Sequence, residues 1–309
     1  MADRAELIAD DDDVMALIGE LEGQTVVSQV QHGGQLVANQ PFGGAVCVGS
    51  VHVCQGYREG VGAGRYAAGV SNDPFIAAAS LEGIPSAFAA TRDGLDSILR
   101  DRGLRRSTPE ATGESLLRGA AATAAIEGSA YDVEALQAGE GDATARGAVL
   151  LSTELLGLVP VWNRSPLQAI ARIHSLAAGG SAGPEDLGRP ANPEGAERLN
   201  LLSRLVSLPT EAPGLVVAAL VHAEIAAAGA FVSHNGVVAR AAERLVLVAK
   251  GVDPASVLVP EAGHAAEVAG YRSALAAYQA GDANGIHQWL MYASQAFSRA
   301  AEASPLARG

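Results

Sequence analysis

Residues 230–240 have the sequence AFVSHNGVVAR, a short polar turn between two apolar stretches. The stretch before it, Pro213–Ala227, is apolar throughout, which predicts a helix buried on most sides. After the turn, apolar residues follow helical spacing as far as Lys250 and stop at Gly251. The pattern therefore predicts a central buried helix, a turn, and a second helix that begins near Gly236.

The start of this second helix has the features of an anion-binding site. The first N–H groups of a helix lack intrahelical acceptors, and the helix dipole places partial positive charge there. Asn235 and Gly236 lie at the predicted helix start, and Arg240 lies one turn further on. A phosphate could contact both the backbone N–H groups and the guanidinium. The alternative is an ordinary corner between two helices, in which Arg240 makes a structural ion pair.

The composition of the 309-residue chain favours an all-α fold. Hydrophobic residues make up 49% of the chain but aromatic residues only 4%, so small aliphatic side chains must form most of the core. Small side chains let helices pack closely. The formal net charge of −13 argues against nucleic acid and anionic membrane surfaces as partners, because both attract clustered Lys and Arg.

The first 72 residues differ from the rest and are predicted to form a poorly structured extension. Asp10–Asp13 is a charge run, and glycine pairs interrupt the strand-like stretches that follow it. The segment 1–22 is acidic, whereas a signal peptide starts with a basic region followed by an apolar one. Because no apolar run reaches the length of about 18 residues that spans a membrane, we expect a cytoplasmic protein.

The two cysteines of the chain lie in this extension. In a reducing compartment Cys47 and Cys54 are expected to be free thiols. A zinc site that adds His32 and His52 would lack the compact paired spacing of such sites. The sequence therefore predicts no metal site.

From residue 73 to residue 309, apolar residues at helical spacing alternate with helix caps and breakers. Thr108, Pro109 and Glu110 place a capping hydroxyl before a proline at the first helical position, which is typical of a helix start. Strands and helices do not alternate, so no parallel sheet is expected. The helices predicted in this part of the chain are residues 84–101, 108–126, 142–158, 166–178, 193–208, 213–227, 236–250, 263–280 and 284–303. The Ala-rich helices from Gly263 onward could provide a homodimer face.

Two motifs resemble those of the Fic (filamentation induced by cAMP), or Fido, family. Residues 229–240 are similar to the family signature, His-Pro-Phe-x-Asp/Glu-Gly-Asn-Gly-Arg-x-x-Arg. The matching positions are Phe231, Asn235, Gly236 and Arg240. Upstream, Thr123, Glu127 and Gly128 fit the family's inhibitory motif, Ser/Thr-x-x-x-Glu-Gly/Asn, within a helix predicted at about 108–128. The resemblance covers residues 73–309 and is closest to divergent bacterial members.

The resemblance implies an all-α Fic/Fido-like helical bundle and a site for ATP or another nucleotide. Active members transfer AMP, or a related group, to a hydroxyl of a protein target. The signature histidine acts as the general base and the signature acidic residue holds magnesium. Gly229, Ser233 and Val237 stand at the positions of the base, the magnesium ligand and the first signature arginine. Because a hydroxyl is a poor magnesium ligand, the resemblance argues against firmly held magnesium.

Three histidines need an interpretation. His234 lies in the turn and is the one candidate for a relocated base, although a histidine in an exposed turn is usually solvated. His174 and His222 lie on apolar helices and are interpreted as core histidines with satisfied hydrogen bonds rather than as ligands. Residues 179–193 contain no strand pattern, so the β-hairpin that docks family targets is not expected.

By resemblance, Glu127 should pair with Arg240 and keep a γ-phosphate from docking productively. The alternative is a structural ion pair between packed helices. Three hypotheses follow for the whole chain. It is a degenerate AMP-transferase homologue that binds a nucleotide, phosphate or protein partner; a divergent transferase with a relocated base; or a structural helical interaction protein. The first is favoured.

Overall fold

The computed structural model describes residues 73–99 and 109–308, and the regular elements of this part of the chain are all helices. They are α1 (Pro74–Ala79), α2 (Ile84–Ile98), α3 (Pro109–Ile126), α4 (Val133–Gln137), α5 (Ala143–Glu154), α6 (Val159–Arg164), α7 (Pro166–Ala178), α8 (Pro193–Ser207), α9 (Gly214–Ala228), α10 (Asn235–Ala249), α11 (Pro260–Ala265), α12 (Val268–Gln279) and α13 (Ala283–Glu302). Short 3-10 helices cover Leu155–Leu158 and Pro305–Arg308. The predicted extension, residues 1–72, lies outside the described residues.

The predicted buried helix, α9, is the centre of the bundle. Every residue from Leu215 to Ile225 is buried. It packs most extensively against α10, and it also contacts α1, α8, α12 and α13. A helix surrounded in this way has no face for water, which explains why its sequence shows no polar stripe. The chain then crosses from α9 to α10 through residues 229–234, the turn that carries the signature.

The prediction of one helix over 263–280 was wrong. The structure has two helices, α11 and α12, separated at Ala266–Glu267, where Glu267 adopts φ −146° and ψ 68°. The first packs against α3 and α13, whereas the second packs along α13 and reaches α9. Gly263 anchors α11, since a Cβ there would lie 2.1 Å from the Ala296 carbonyl oxygen. The chain must change direction after this contact, and no Gly or Pro marks the break.

Other helix boundaries differ by less. The helix predicted over 142–158 ends as an α-helix at Glu154, continues as a 3-10 turn and is followed by α6, which the sequence did not reveal. Helices α1 and α4 were also missed, and the helix predicted over 84–101 corresponds to α2, although its predicted end at residue 101 lies outside the described residues. The succession Ala143–Arg164 is long and apolar enough to cross a membrane by composition. In the bundle it is three segments, each with buried residues packed into the core.

The close contact between α5 and α7 gives a test of the packing. A Cβ on Gly147 would lie 2.2 Å from the Ala177 carbonyl oxygen, so Gly147→Ala must push the two helices apart. We expect a loss of about 1–3 kcal/mol in the free energy of unfolding by urea. Gly113→Ala in α3 is the control, because nothing lies within 4 Å of its added Cβ. That change should stabilise by up to about 1 kcal/mol, and equal effects of the two substitutions would contradict the packing.

Candidate functional site

The signature turn is held closed by one side chain. The Asn235 Oδ1 accepts a hydrogen bond from the Phe231 N–H at 2.9 Å, and its Nδ2 donates to the Phe231 carbonyl at 2.8 Å. His234 precedes α10 with a left-handed backbone, φ 60°, and provides no side-chain cap. The first helical hydrogen bond runs from Val238 N to His234 O. The backbone N–H of Asn235 was predicted to contact a phosphate, which stays a prediction, and the side chain of Asn235 serves the turn.

A carboxylate lies over the start of α10. A Cβ on Gly236 would stand 2.9 Å from Glu127 Oε1 and 3.2 Å from Arg240 Nη1, so glycine leaves room for both groups where they stand. Glu127 Oε1 lies 2.5 Å from Arg240 Nη2. Gly236 was predicted to lie at the helix start, where a phosphate could contact the backbone N–H groups. In the structure it lets the protein's own carboxylate approach the positive end of the helix dipole.

The end of α3 presents two groups to Arg240. Thr123 Oγ1 accepts a hydrogen bond from Arg240 Nε at 3.3 Å, and Glu127 follows it by one turn. Gly128 ends the helix with φ 91°, and Ser129 N then donates to the Ala124 carbonyl at 2.8 Å. This pattern needs glycine for its left-handed backbone. The contact implied by the resemblance is therefore present, while its inhibitory role stays a prediction.

Arg240 is fixed from the buried side as well. Its side chain is 1% exposed, and Nη1 donates to the Tyr271 hydroxyl at 3.2 Å. Burial alone would lower the pKa of Arg240, but Tyr271 and Glu127 raise it above its ordinary value. The guanidinium is thus charged and held between a carboxylate on the solvent side and a hydroxyl on the core side.

Behind Tyr271 a chain of polar side chains runs through the core. His222 Nε2 lies 2.9 Å from the Tyr271 hydroxyl, and His222 Nδ1 lies 3.1 Å from Glu243 Oε2. His264 Nε2 lies 2.9 Å from the same Glu243 oxygen, and its Nδ1 lies 3.1 Å from the Tyr292 hydroxyl. Burial lowers the pKa of His222 to about 4. Burial alone would raise the pKa of Glu243, but the two imidazoles lower it to about 2.

Sequence reasoning found only His222 in this cluster, and as a core residue with satisfied hydrogen bonds. It is fully buried, but its Nδ1 has no aligned hydrogen-bond partner, so that expectation was only half right. Glu243, His264, Tyr271 and Tyr292 come from four further helices and share no local spacing. The signal that could have found them is a charged residue within an apolar helix, since such residues are rarely buried unless paired.

The other two histidines lie beside Phe231. His174 is buried and stacks on the Phe231 ring at 4.1 Å, and its Nδ1 accepts the Gly188 N–H at 3.0 Å. Its Nε2 has no partner, so it too is a core histidine that is only partly satisfied. His234 was expected to be solvated but is half-buried, with Nδ1 2.7 Å from Ser233 Oγ. Burial lowers the pKa of His234, and Glu127 acts in the opposite direction.

The three positions that differ from the Fic signature have structural roles. Gly229 ends α9 with φ 52°, and its carbonyl accepts a hydrogen bond from Asn192 Nδ2 at 3.2 Å. A histidine there would have to adopt a left-handed backbone that side chains rarely take. Val237 is buried in the core, and the Ser233 hydroxyl contacts His234. These three positions therefore contribute to the fold of the turn.

No family model and no curated protein sequence matches the chain. Its structure is similar to that of a Fic family protein from Desulfovibrio desulfuricans G20, with a TM-score of 0.57 and 18% identity over 69% of this chain and 73% of that one. It is also similar to a variant of Fic-1 from C. elegans, with a TM-score of 0.52 and 17% identity over 70% of each chain. The chain therefore has a Fic/Fido-like all-α fold, as the sequence predicted.

The fold also tests the expectation about target docking. Residues 179–192, all of which are described, contain turns and bends and no strand. The predicted absence of a hairpin in this segment thus agrees with the structure. The stretch instead places Gly188 against His174 and ends at Asn192, which caps α8 through the Gly195 N–H at 2.6 Å.

The signature turn can be tested through Asn235. Asn235→Ala removes both hydrogen bonds to Phe231, and we expect a loss of about 1–3 kcal/mol in the free energy of unfolding. Asn200→Ala is the matched control, because that exposed amide bonds only the Ala196 carbonyl of its own helix. Its effect should stay within about 0.5 kcal/mol. Equal losses in thermal or urea unfolding would show that the turn does not depend on Asn235.

Proposed function

We propose that this chain binds a phosphate-bearing ligand, ATP or another nucleotide, at the start of α10 and does not transfer it efficiently. One observation carries the proposal. The Glu127 carboxylate lies over Gly236 and pairs with Arg240, so a negatively charged group already stands where a phosphate would be held. A site that accepts a carboxylate from the chain has the charge and the donors to accept a phosphate.

The difference in burial between the two partners supports displacement of Glu127. The side chain of Glu127 is 33% exposed, whereas that of Arg240 is 1% exposed and also bonded to Tyr271. Glu127 can rotate into water, and the phosphate then replaces it as the negative partner of the buried Arg240 guanidinium. Arg240 would then keep its orientation, and the N–H groups at the start of α10 would face the incoming phosphate.

The absence of transfer rests on the three degenerate positions. Gly229 offers no side chain that could take a proton, and Val237 is buried away from any phosphate. Ser233 supplies a hydroxyl where a magnesium site needs a carboxylate, so we propose no magnesium ion here. The proposal places the protein in the cytoplasm, where nucleotides are abundant, and it includes a protein partner.

A relocated base is the second candidate, and one observation favours it. Burial keeps the pKa of His234 below its ordinary value, so its imidazole is neutral at pH 7 and able to accept a proton. Incubation of the purified protein with labelled ATP and a cell lysate separates the two functions. The proposal predicts retention of ATP and no label on protein above a no-protein baseline, both for the wild type and for Glu127→Gly.

The outcomes of that assay are distinct. Label transfer by either protein would overturn the proposal, and its loss in His234→Ala would establish the relocated base. Failure of both proteins to bind any nucleotide, together with Arg240→Ala changing only stability, would instead favour a structural interaction protein.

A further inference from the structure

The buried cluster of His222, Glu243 and His264 has no place in nucleotide binding, yet it brings three metal-ligating side chains together. One comes from each of the helices α9, α10 and α11. Their donor atoms lie within 4.8 Å of one another, and all three side chains are buried. We propose that this cluster is a structural site for a divalent transition metal of the zinc class, which joins the three helices.

The spacing of the donors suits such an ion. Glu243 Oε2 is 3.1 Å from His222 Nδ1 and 2.9 Å from His264 Nε2. Ligands bound at about 2.1 Å to zinc stand roughly 3 to 4 Å from one another. Small rotations of the two imidazoles therefore bring all the donors to bonding distance. The resulting set, two imidazole nitrogens and a carboxylate, is one that zinc accepts in proteins.

Two atoms of the cluster have no hydrogen-bond partner among residues 73–99 and 109–308. They are Glu243 Oε1 and His222 Nδ1, and both are buried. His222 Nδ1 is near Glu243 Oε2 but lacks the alignment of a hydrogen bond. Leaving a buried carboxylate oxygen unsatisfied is costly. A cation between the three side chains would satisfy both atoms, with Glu243 bound through both oxygens.

The outer nitrogens of the imidazoles are already fixed. His222 Nε2 contacts the Tyr271 hydroxyl at 2.9 Å, and His264 Nδ1 contacts the Tyr292 hydroxyl at 3.1 Å. In metal sites the second nitrogen of a histidine is regularly held by such a partner, which orients the ring. Trp289 packs against both rings, at 5.1 Å and 6.2 Å between centroids, and forms an apolar wall.

Charge balance supports the same conclusion. Among the described residues, Glu243 forms ion pairs only with the two histidines, while the nearby Arg240 pairs with Glu127. A fully buried carboxylate needs a positive partner. A divalent ion supplies that charge at the centre of the cluster.

The test is metal analysis of untagged protein that has been unfolded and refolded with one equivalent of Zn²⁺ or Co²⁺. Unfolding is needed because the site is closed to solvent. We expect about one metal ion per chain, a higher melting temperature than for protein refolded with chelator, and the visible spectrum of a Co²⁺ site with nitrogen and oxygen ligands. Tyr292→Phe should weaken Zn²⁺ binding by about 10- to 100-fold.

Two substitutions locate the ion. Glu243→Gln should abolish metal uptake, whereas His174→Gln, which alters another buried histidine, should retain it. If Glu243→Gln fails to fold, the Co²⁺ spectrum of the wild type shows whether nitrogen and oxygen ligands bind the ion. The proposal would be overturned if folded wild-type protein took up no metal and melted at the same temperature with and without chelator. The cluster would then be held together by hydrogen bonds, without a metal ion. Full metal content in Glu243→Gln would overturn it as well.

Discussion

Arg244→Met is expected to lower the free energy of unfolding by about 3–5 kcal/mol, because it leaves a carboxylate buried without its partner. Arg244 and Glu261 are 2% and 7% exposed, and Arg244 Nε donates to Glu261 Oε1 at 2.8 Å. Nη1 also donates to Ser256 Oγ at 2.9 Å and to the Leu258 carbonyl at 2.8 Å. The pair joins α10 to α11 and to the loop before α11. Urea unfolding monitored by circular dichroism measures the loss.

Two controls separate the buried pair from ordinary surface charge. Arg244→Met combined with Glu261→Met removes both charges, and should recover part of the lost stability because no unpaired ion remains. Arg299→Met breaks a pair with Glu267 whose side chains are 29% and 51% exposed, and should cost no more than about 1 kcal/mol. A loss of no more than about 1 kcal/mol for Arg244→Met would contradict the stabilising role of the buried pair.

The sequence predicted those parts of the fold that depend on local signals. An apolar run predicted α9, prolines predicted the starts of α7 and α8, and a glycine predicted the end of α10. The structure has helices at these positions. The break between α11 and α12 has no such signal. Just before it, Gly263 packs on the Ala296 carbonyl, 33 positions further along the chain, and sequence spacing does not reveal that contact.

The candidate site shows the same division. The resemblance predicted the contact between Glu127 and Arg240, although 113 residues separate them, because it assigned the two motifs to one site. The phosphate contact of the Asn235 backbone stays a prediction, whereas the two bonds of its side chain to Phe231 are not visible in the sequence. The buried cluster around Glu243 was missed because its members are brought together only by the packing of α9, α10 and α11.

Glu127→Gln is expected to raise the affinity for ATP by roughly 10- to 100-fold, because a carboxylate that competes with phosphate is removed. The amide keeps the size of the side chain and loses its negative charge. Arg240 is still held by Thr123 and Tyr271, so the guanidinium stays in position for the ligand. Glu114→Gln is the matched control, because it makes the same chemical change on the same helix, at an exposed pair with Arg118. It should leave the affinity unchanged.

The central claim is that Glu127 occupies an anion site formed by Arg240 and the start of α10. Calorimetric titration of ATP into the wild type, Glu127→Gln and Glu127→Gln combined with Arg240→Met tests it most directly. The account predicts weak binding by the wild type, binding tighter by roughly 10- to 100-fold in the single variant, and loss of that gain in the folded double variant. Equal affinity of the wild type and Glu127→Gln for ATP would contradict it.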